Sequence, residues 1–369
     1  MKAIIHIGHH KTGTTSLQSF LAVNWKRLLE NGILSPWVEF QGAAWAAAQL
    51  VRADEVEPDF LPANIREPHN ALAFRMLATA NPERKVPAHH AKLPALPQML
   101  HAISSQLASL EPEAAIFVSE VMSHFGLDAP ELIDHFAHVL SGADFGLHVT
   151  LRRPDDQIVA WYGQQLWFGM PVSTLSDPSG QDPFQGAHFD YRGVIEPWLE
   201  RLPNVTPQIR AHADMMAAGG SIPDFFTQSG LTLPDAAIDV AAMNPSLPRA
   251  FFPLMQKVNA NVPRPAARTL GHDLAAIADR LDLPAPGDIE FFGDERRAEL
   301  AARFAPVDGW LTGVLGKPLF DDIHAIGTPR PVSEAEALDH VLAALTEADI
   351  ASFTNPDVRD YVTTLKAGL

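Results

Sequence analysis

The chain has 369 residues, of which 47% are hydrophobic and 19% charged. That balance is typical of a folded globular protein and excludes a disordered one. The formal net charge of -17 disfavours nucleic acid and anionic membrane surfaces as partners. Cysteine is absent, which excludes disulfides, thiolate nucleophiles and Cys-ligated metal sites. An anionic ligand would therefore need a local basic pocket that overcomes the acidic charge of the whole chain.

No targeting or membrane-spanning segment is evident in the sequence. The chain opens with MKAIIHIGHH, in which the apolar run is short and is followed by His and Lys. A signal peptide needs a longer apolar region, and a spanning helix needs about 18 or more apolar residues. We therefore expect a cytoplasmic protein without a transmembrane segment.

Strands and helices are predicted to alternate in the first half of the chain. Residues 3–8 form an apolar run typical of a buried strand, and residues 14–30 repeat large apolar residues at helical spacing. Residues 35–100 carry scattered prolines without a clear pattern, which predicts an irregular insertion with some helix. Further elements are expected as helix 98–110, strand 114–120, helix 130–140, strand 146–154 and helix 155–168.

The second half is predicted to be richer in helix. Its expected elements are a loop over 171–190, helix 191–202, strand 205–211, a loop and helix over 240–260, helix 290–315, a break at 328–331 and a last helix over 333–348. The alternation predicts an α/β fold with a parallel central sheet and helices on both faces. We expect one domain over 1–330, with the insertion at 35–100, and a helical C-terminal extension over 331–369.

The loop between the first predicted strand and helix carries groups that bind phosphate. Glycine at position 13 permits a close backbone approach, and the helix start offers unpaired N–H groups and the positive end of the helix dipole. A lysine adds a full positive charge, and several hydroxyls add donors. The candidate residues are His10, Lys11, Thr12, Gly13, Thr14, Thr15 and Ser16. A plain helix cap beside a surface lysine would need only one such residue.

The order of these residues differs from a Walker A loop, in which lysine follows the second glycine. Here Lys11 lies two residues before Gly13. The order Lys-Thr-Gly-Thr-Thr resembles the 5′-phosphosulfate loop of sulfotransferases that use 3′-phosphoadenylyl sulfate (PAPS). HIGHHKTGTTSLQ in particular resembles the opening of a bacterial sulfotransferase family. The resemblance implies a P-loop-like sulfotransferase fold, PAPS as donor, PAP as product and a lysine that contacts the 5′-phosphate and the bridging oxygen.

A second match concerns the 3′-phosphate site, where the family has an arginine at a strand end and a serine eight residues later. LRRPDDQIVAWY supplies Arg152 at the strand end, with Arg153 beside it, and Ala160 stands at the serine position. The alanine removes one hydroxyl donor, and a hydrogen bond to a charged group contributes roughly 1.5–3 kcal/mol. Without the first loop, a solvated arginine pair at a strand end would be the simpler interpretation.

Later stretches resemble the same family in its usual order, and the resemblance extends to about residue 325. They are FDYRGVIEPWLERLPNV, IPDFFTQSGL, NPSLPRAFFPLMQKVN and ERRAELAARFAPVDGWL. In the family, the loop that corresponds to Asn244 and Ser246 approaches the nucleotide. A helix N-cap is an equally natural role for Ser246.

Sulfuryl transfer needs a general base that takes the acceptor proton. The resemblance places this base at the end of the strand before the 3′-phosphate strand, where AAIFVSE ends in Glu120. His124 is the second candidate and His10 the third. The alternative for Glu120 is an ion pair or a cap. Adjacent His9–His10 and His89–His90 pairs have poor chelate spacing, so we expect no metal site.

Three functions remain open from the sequence. The first is a PAPS-dependent sulfotransferase acting on a hydroxyl or amine of a glycan, a lipid head group or a small metabolite. The second is a P-loop kinase, and the third is a non-catalytic PAP- or nucleotide-binding protein of the same fold. The misplaced lysine disfavours the kinase, whereas Ala160 favours the non-catalytic alternative.

Overall fold

The computed structural model describes residues 1–52, 58–90, 92–240 and 247–368. In these residues the central sheet has five parallel strands in the order β2-β3-β1-β4-β5. The strands are β1 Lys2–His6, β2 Ile33–Leu34, β3 Ala114–Val118, β4 Asp144–Leu151 and β5 Thr206–Ala211. A small parallel pair consists of β6 Ile289–Glu290 and β7 Val332–Ser333. The prediction of an α/β fold with a parallel central sheet is confirmed.

Helices connect the strands and account for most of the remaining regular structure. In the described residues they are α1 Thr14–Val23, α2 Trp25–Glu30, α3 Phe40–Arg52, α4 Ala63–Arg66, α5 Pro68–Ala80, α6 Leu96–Leu110, α7 Phe125–Asp128, α8 Leu132–Val139, α9 Pro154–Trp167, α10 Tyr191–Arg201, α11 His212–Ala217, α12 Ser221–Ser229, α13 Phe252–Asn261, α14 Arg264–Ala267, α15 Leu270–Ala275, α16 Gly293–Leu315, α17 Glu334–Ala344, α18 Glu347–Ser352 and α19 Pro356–Ala367. None of these helices is long and apolar enough to cross a membrane.

Alternating side chains of β3 point to opposite faces of the sheet, and both faces are covered by helices. Ile116 and Val118 pack with residues of α1 and α12, including Leu17 and Phe225. Phe117 points to the opposite face, where its ring lies 5.5 Å from the ring of Phe136 in α8. Helices therefore cover both faces, which explains why the middle of β1 and all of β3 are apolar on both sides.

The predicted helix 14–30 is in fact two helices, α1 and α2, separated at Asn24. Asn24 is fully buried, and its side chain exchanges two hydrogen bonds with the backbone of Ile238, at 2.9 and 2.7 Å. The helix breaks at Asn24, where these long-range hydrogen bonds form. Periodicity could not reveal it, because the apolar spacing continues through the break.

Other differences concern short or separated elements. The region 35–100 was expected to be an irregular insertion with some helix, and helices α3, α4, α5 and part of α6 occupy much of its described part. The expected last helix over 333–348 is two helices, α17 and α18, because Leu345 adopts an extended backbone between them. Helix α19 lies within the helical extension expected over 331–369. The two-residue strand β2 was not predicted, because two residues are too few to form a recognisable pattern.

The chain divides into two compact units, each built from separate segments. The first comprises Met1–Arg152, Gly186–Met243 and Val307–Phe320, and contains the central sheet. The second comprises Arg153–Gln185, Asn244–Pro306 and Asp321–Leu369. The boundary expected at residue 330 falls inside the last segment of the second unit. The candidate site described next lies within the first unit.

Candidate functional site

The candidate site lies at the carboxyl edge of the central sheet. His6 at the end of β1 pairs in register with Val118 of β3 on one side and with His148 of β4 on the other. Strands β3 and β4 thus lie on opposite sides of β1, so the connection between them crosses over β1. Crevices at the carboxyl edge beside such a crossing are where open α/β sheets bind ligands. The residues that follow β1, β3 and β4 are Gly8–Gly13, Glu120 and Arg152.

The loop after β1 is braced by its own hydroxyls. Thr12 and Thr14 are buried, and both side chains donate to the His9 carbonyl oxygen, at 2.7 and 3.4 Å. Thr15 and Ser16 are half-buried in the first turn of α1. In this arrangement Thr12 and Thr14 fix the loop conformation, and their expected contacts with a phosphate stay a prediction.

The structure shows a reason for glycine at position 13 that the sequence did not indicate. The φ of Gly13 is +88°, and a Cβ atom there would lie only 2.8 Å from the Cβ of Ser221 at the start of α12. The Ser221 hydroxyl also donates to the Gly13 carbonyl oxygen at 3.1 Å. Glycine is therefore required both by the left-handed backbone and by the close packing of α12 on the loop.

The loop also presents Lys11 from an unusual backbone conformation. Lys11 has a φ of +64°, in the left-handed region that residues other than glycine rarely adopt. Such conformations persist where surrounding contacts hold them, and they occur often at ligand-binding sites. Here the holding contact comes from Arg152, whose Nε and Nη2 donate to the Lys11 carbonyl oxygen at 3.0 and 2.7 Å.

Lys11 and Arg152 bring two positive charges together in an acidic protein. Burial lowers the pKa of Lys11, and the positive charge of Arg152 lowers it further. Arg152 is itself held at a second point, since its Nη2 lies 3.0 Å from Nε2 of His212. Tyr191 donates to the Arg152 carbonyl oxygen at 2.8 Å. Two neighbouring cations, of which Lys11 is desolvated by burial, lie beside a helix N-terminus and form a site that an anion would stabilise.

Glu120 lies at the same edge, directly beside the loop. A Cβ atom on Gly8 would lie 2.9 Å from both Cα and Cβ of Glu120, so glycine at this position permits the close approach. The carboxylate accepts hydrogen bonds from Asn70 Nδ2 at 3.2 Å and Gln18 Nε2 at 3.4 Å. Burial, and to a smaller extent the negative charge of Glu67, raises the pKa of Glu120 to about 7.

Asn70 connects Glu120 to a second carboxylate. Its Nδ2 donates to Glu67 and to Glu120, at 3.2 Å in each case, and its Oδ1 accepts from the Ser119 hydroxyl at 2.6 Å. Arg66 also binds Glu67, with its Nε and Nη2 at 2.9 and 2.7 Å from one carboxylate oxygen. The charge of Glu67 is thus compensated, whereas Glu120 receives only neutral donors in these contacts.

Histidines gather on the other side of the loop. The Nε2 atoms of His10 and His124 lie 3.3 Å apart, and Nδ1 of His124 is 3.4 Å from Oδ2 of Asp128. The rings of His188 and His10 are 5.1 Å apart. Burial lowers the pKa of His10 and that of His188, so both favour the neutral form. His124, the second candidate base, therefore has a carboxylate at one ring nitrogen and an imidazole at the other.

The structure adds residues that the sequence did not single out. His188 and His212 contact His10 and Arg152, respectively, from positions far along the chain. No local pattern marks either residue, because only the fold brings it to the loop. Among the described residues, no group of three or more His, Asp or Glu side chains is arranged to hold a metal ion.

Some predicted site residues are not brought to this edge. Arg153 belongs to the second unit, where it forms ion pairs with Asp155 at 2.7 Å, with Asp156 at 3.6 Å and with Asp322. It is therefore engaged by carboxylates of its own unit. Ala160 lies half-buried on α9, also in the second unit, and its part in a 3′-phosphate site stays a prediction. Asn244 and Ser246 lie outside the described residues.

Comparisons with known proteins do not assign the chain to a family. No family model matches it, and no curated protein or solved structure shows significant similarity. The function of the site must therefore be inferred from its residues and from the motif of the first loop.

The raised pKa of Glu120 predicts a pH-dependent stability. Between the unfolded value of 4.5 and the folded value of about 7, unfolding releases a proton, so rising pH destabilises the folded state. Relative to the Glu120→Gln variant, the wild type should lose roughly 3 kcal/mol of unfolding free energy between about pH 4 and pH 8.

Urea unfolding of both proteins across this range measures the difference. A difference in unfolding free energy that is the same at every pH would reflect only the hydrogen bonds of the amide in place of the carboxyl. The test is therefore how this difference changes with pH. A difference that stays flat over the range would show that the Glu120 carboxyl titrates alike in the folded and unfolded states.

Proposed function

We propose that this protein transfers the sulfuryl group of PAPS to a hydroxyl or amine of an acceptor. One observation carries the proposal: the lysine of the phosphosulfate loop and the strand-end arginine of the 3′-phosphate match meet at the carboxyl edge of a parallel sheet, beside a carboxylate with a raised pKa. The sequence predicts a different role for each of these three residues, Lys11, Arg152 and Glu120. Their meeting in one place is what a two-substrate transfer site requires.

The residues of the first unit fit the donor. The Lys11 loop and the N-terminus of α1 would hold the 5′-phosphosulfate, and Arg152 would hold the 3′-phosphate. A bound polyanion would offset the repulsion between these two cations. PAPS supplies the activated sulfuryl group, whose bond to the bridging oxygen is the one broken.

Lys11 and Glu120 have complementary parts in the reaction. Negative charge develops on the bridging oxygen as its bond to sulfur breaks, and the Lys11 ammonium stabilises it there. Glu120 takes the proton of the acceptor. With a pKa of about 7, the carboxyl is partly ionised at neutral pH and is matched to proton transfer at that pH.

His124 provides a second candidate for the base. The Asp128 carboxylate at its Nδ1 favours the tautomer that carries a proton on this nitrogen, which leaves Nε2 able to accept one. That nitrogen, however, faces His10 at 3.3 Å. Glu120 remains the first choice because it lies directly against Gly8 of the loop.

PAP and PAPS should raise the melting temperature more than ATP does, without magnesium. A ligand at a hundred times its Kd adds about 2.7 kcal/mol to the unfolding free energy. Arg152→Gln should lose most of this gain, since one of the two cations is removed. Differential scanning fluorimetry measures the shifts, with Arg201→Gln as the control because Arg201 forms a surface ion pair with Asp134. A larger shift with ATP and magnesium than with PAP would contradict the proposal.

Replacement of the base should act on turnover and not on donor binding. Glu120→Gln should lower kcat by about a hundredfold or more and leave the PAP affinity within about threefold. In the wild type, kcat should fall as pH drops below about 7, because the base must be ionised.

The assay is mass-spectrometric detection of PAPS-dependent sulfuryl addition to a pool of acceptors, followed by initial rates on the acceptor found. His124→Asn serves as the matched comparison. If the histidine variant loses turnover while Glu120→Gln retains it, the base is His124 and the assignment of Glu120 is wrong.

A further inference from the structure

A narrow crevice lies within the first unit, and its lining residue Gln18 is hydrogen-bonded to Glu120. Its volume is about 290 Å³, including the open mouth, and its inner part admits only a water-sized group. Helices α1, α2 and α4, the segment after β2 and the start of α5 form its walls. The residues that matter for recognition are Gln18, Trp25, Ser35, Trp37, Arg66 and His69.

Gln18 links this crevice to the candidate base. The side chain is 3% exposed, and its Nε2 donates to the Val118 carbonyl oxygen at 3.1 Å and to Glu120 at 3.4 Å. Both partners are acceptors, which fixes the orientation of the amide. Its Oε1 is buried and has no hydrogen-bond partner among the described residues. A buried acceptor without a donor is unfavourable, and a ligand O–H or N–H would satisfy it.

The charges around the crevice select a neutral ligand. Arg66 is the charged residue of the lining, and its guanidinium binds Glu67 through two nitrogens. His69 is buried, with both ring nitrogens in hydrogen bonds to the backbone, and burial lowers its pKa to about 4. The lining therefore offers neither an unbalanced cation for a phosphate head group nor an unbalanced anion for an amine.

Indole rings shape the wall next to Gln18. The rings of Trp25 and Trp37 lie 5.2 Å apart in an edge-to-face arrangement, and Trp45 extends the cluster at 6.3 Å from Trp25. Indole faces combined with an amide, a hydroxyl and a guanidinium suit a ligand that has both C–H faces and hydroxyl groups. A sugar ring has this combination, whereas a purely apolar alcohol would leave the polar groups of the lining without partners.

We infer that this crevice is the acceptor subsite and that it takes the hydroxymethyl group of a neutral sugar, whose ring packs outside on the tryptophans. The inference rests on the proposed sulfotransferase function. The acceptor oxygen forms a bond to sulfur while the bond from sulfur to the bridging oxygen of PAPS breaks. The acceptor proton passes to the ionised Glu120, and PAP leaves with the electron pair of the broken bond. The products are a sugar sulfate monoester and PAP.

Two methyl glycosides test the inference on the full chain saturated with PAP. Methyl β-glucopyranoside has the hydroxymethyl group, and methyl β-xylopyranoside is the same ring without it. Saturation-transfer NMR should show binding of the glucoside, strongest at its hydroxymethyl protons, and about tenfold weaker binding of the xyloside. PAPS should then give a sulfated glucoside, with little product from the xyloside.

Variants decide whether the crevice is responsible. Gln18→Leu and, at the wall, Trp25→Ala should each weaken glucoside binding about tenfold, whereas Gln41→Leu, at an exposed position of α3, should not. The PAP-induced melting shift should persist in all three and shows that they fold. Equal binding of the two glycosides, preferential binding of 4-nitrophenol or ethanolamine, or unchanged glucoside binding in both crevice variants would overturn the inference. Absence of any PAP shift in the wild type would instead overturn the proposed function.

Discussion

The hydrogen bonds from Arg152 to the Lys11 carbonyl oxygen are the contact on which the candidate site depends. They join the end of β4 to the loop after β1 and hold Lys11 in a left-handed backbone conformation. They also keep two cations close together in a chain of net charge -17. Like charges repel most strongly where water is excluded, so a bound anion has more to stabilise here than at an exposed lysine.

Close packing at two glycines places the remaining groups around that contact. Gly8 admits Glu120 against one side of the loop, and Gly13 admits the start of α12 against the other. The anion-binding groups and the carboxylate are thus positioned by the sheet and its neighbouring helices, and not by the loop alone. Gln18 then extends the arrangement from Glu120 into the tryptophan-lined crevice. Gln18 thus connects the proposed base to the proposed acceptor subsite within the first unit.

The parts of the fold that could be predicted from the sequence are those with local patterns. The apolar runs of β1, β3 and β4 and the spacing of α9 and α10 indicated their elements to within a few residues. The break at Asn24 could not be predicted, because its cause is a contact with Ile238, more than 200 positions away. For the same reason the sequence pointed to Lys11, Glu120 and Arg152 singly but not to His188 or His212, whose positions follow from the fold. Nor could the sequence show that the hydroxyls of Thr12 and Thr14 bind the His9 carbonyl oxygen within the loop.

The pKa of Lys11, followed by NMR of its ε-carbon, tests the central claim most directly. In the free protein, burial and Arg152 should hold this pKa below the ordinary value of 10.5. Saturation with PAP should raise it, because the negative charge of the phosphates offsets the repulsion from Arg152. Comparison with the spectrum of Lys11→Arg assigns the resonance. A Lys11 signal that titrates at its ordinary pKa and does not respond to PAP would contradict an anion site at this edge of the sheet.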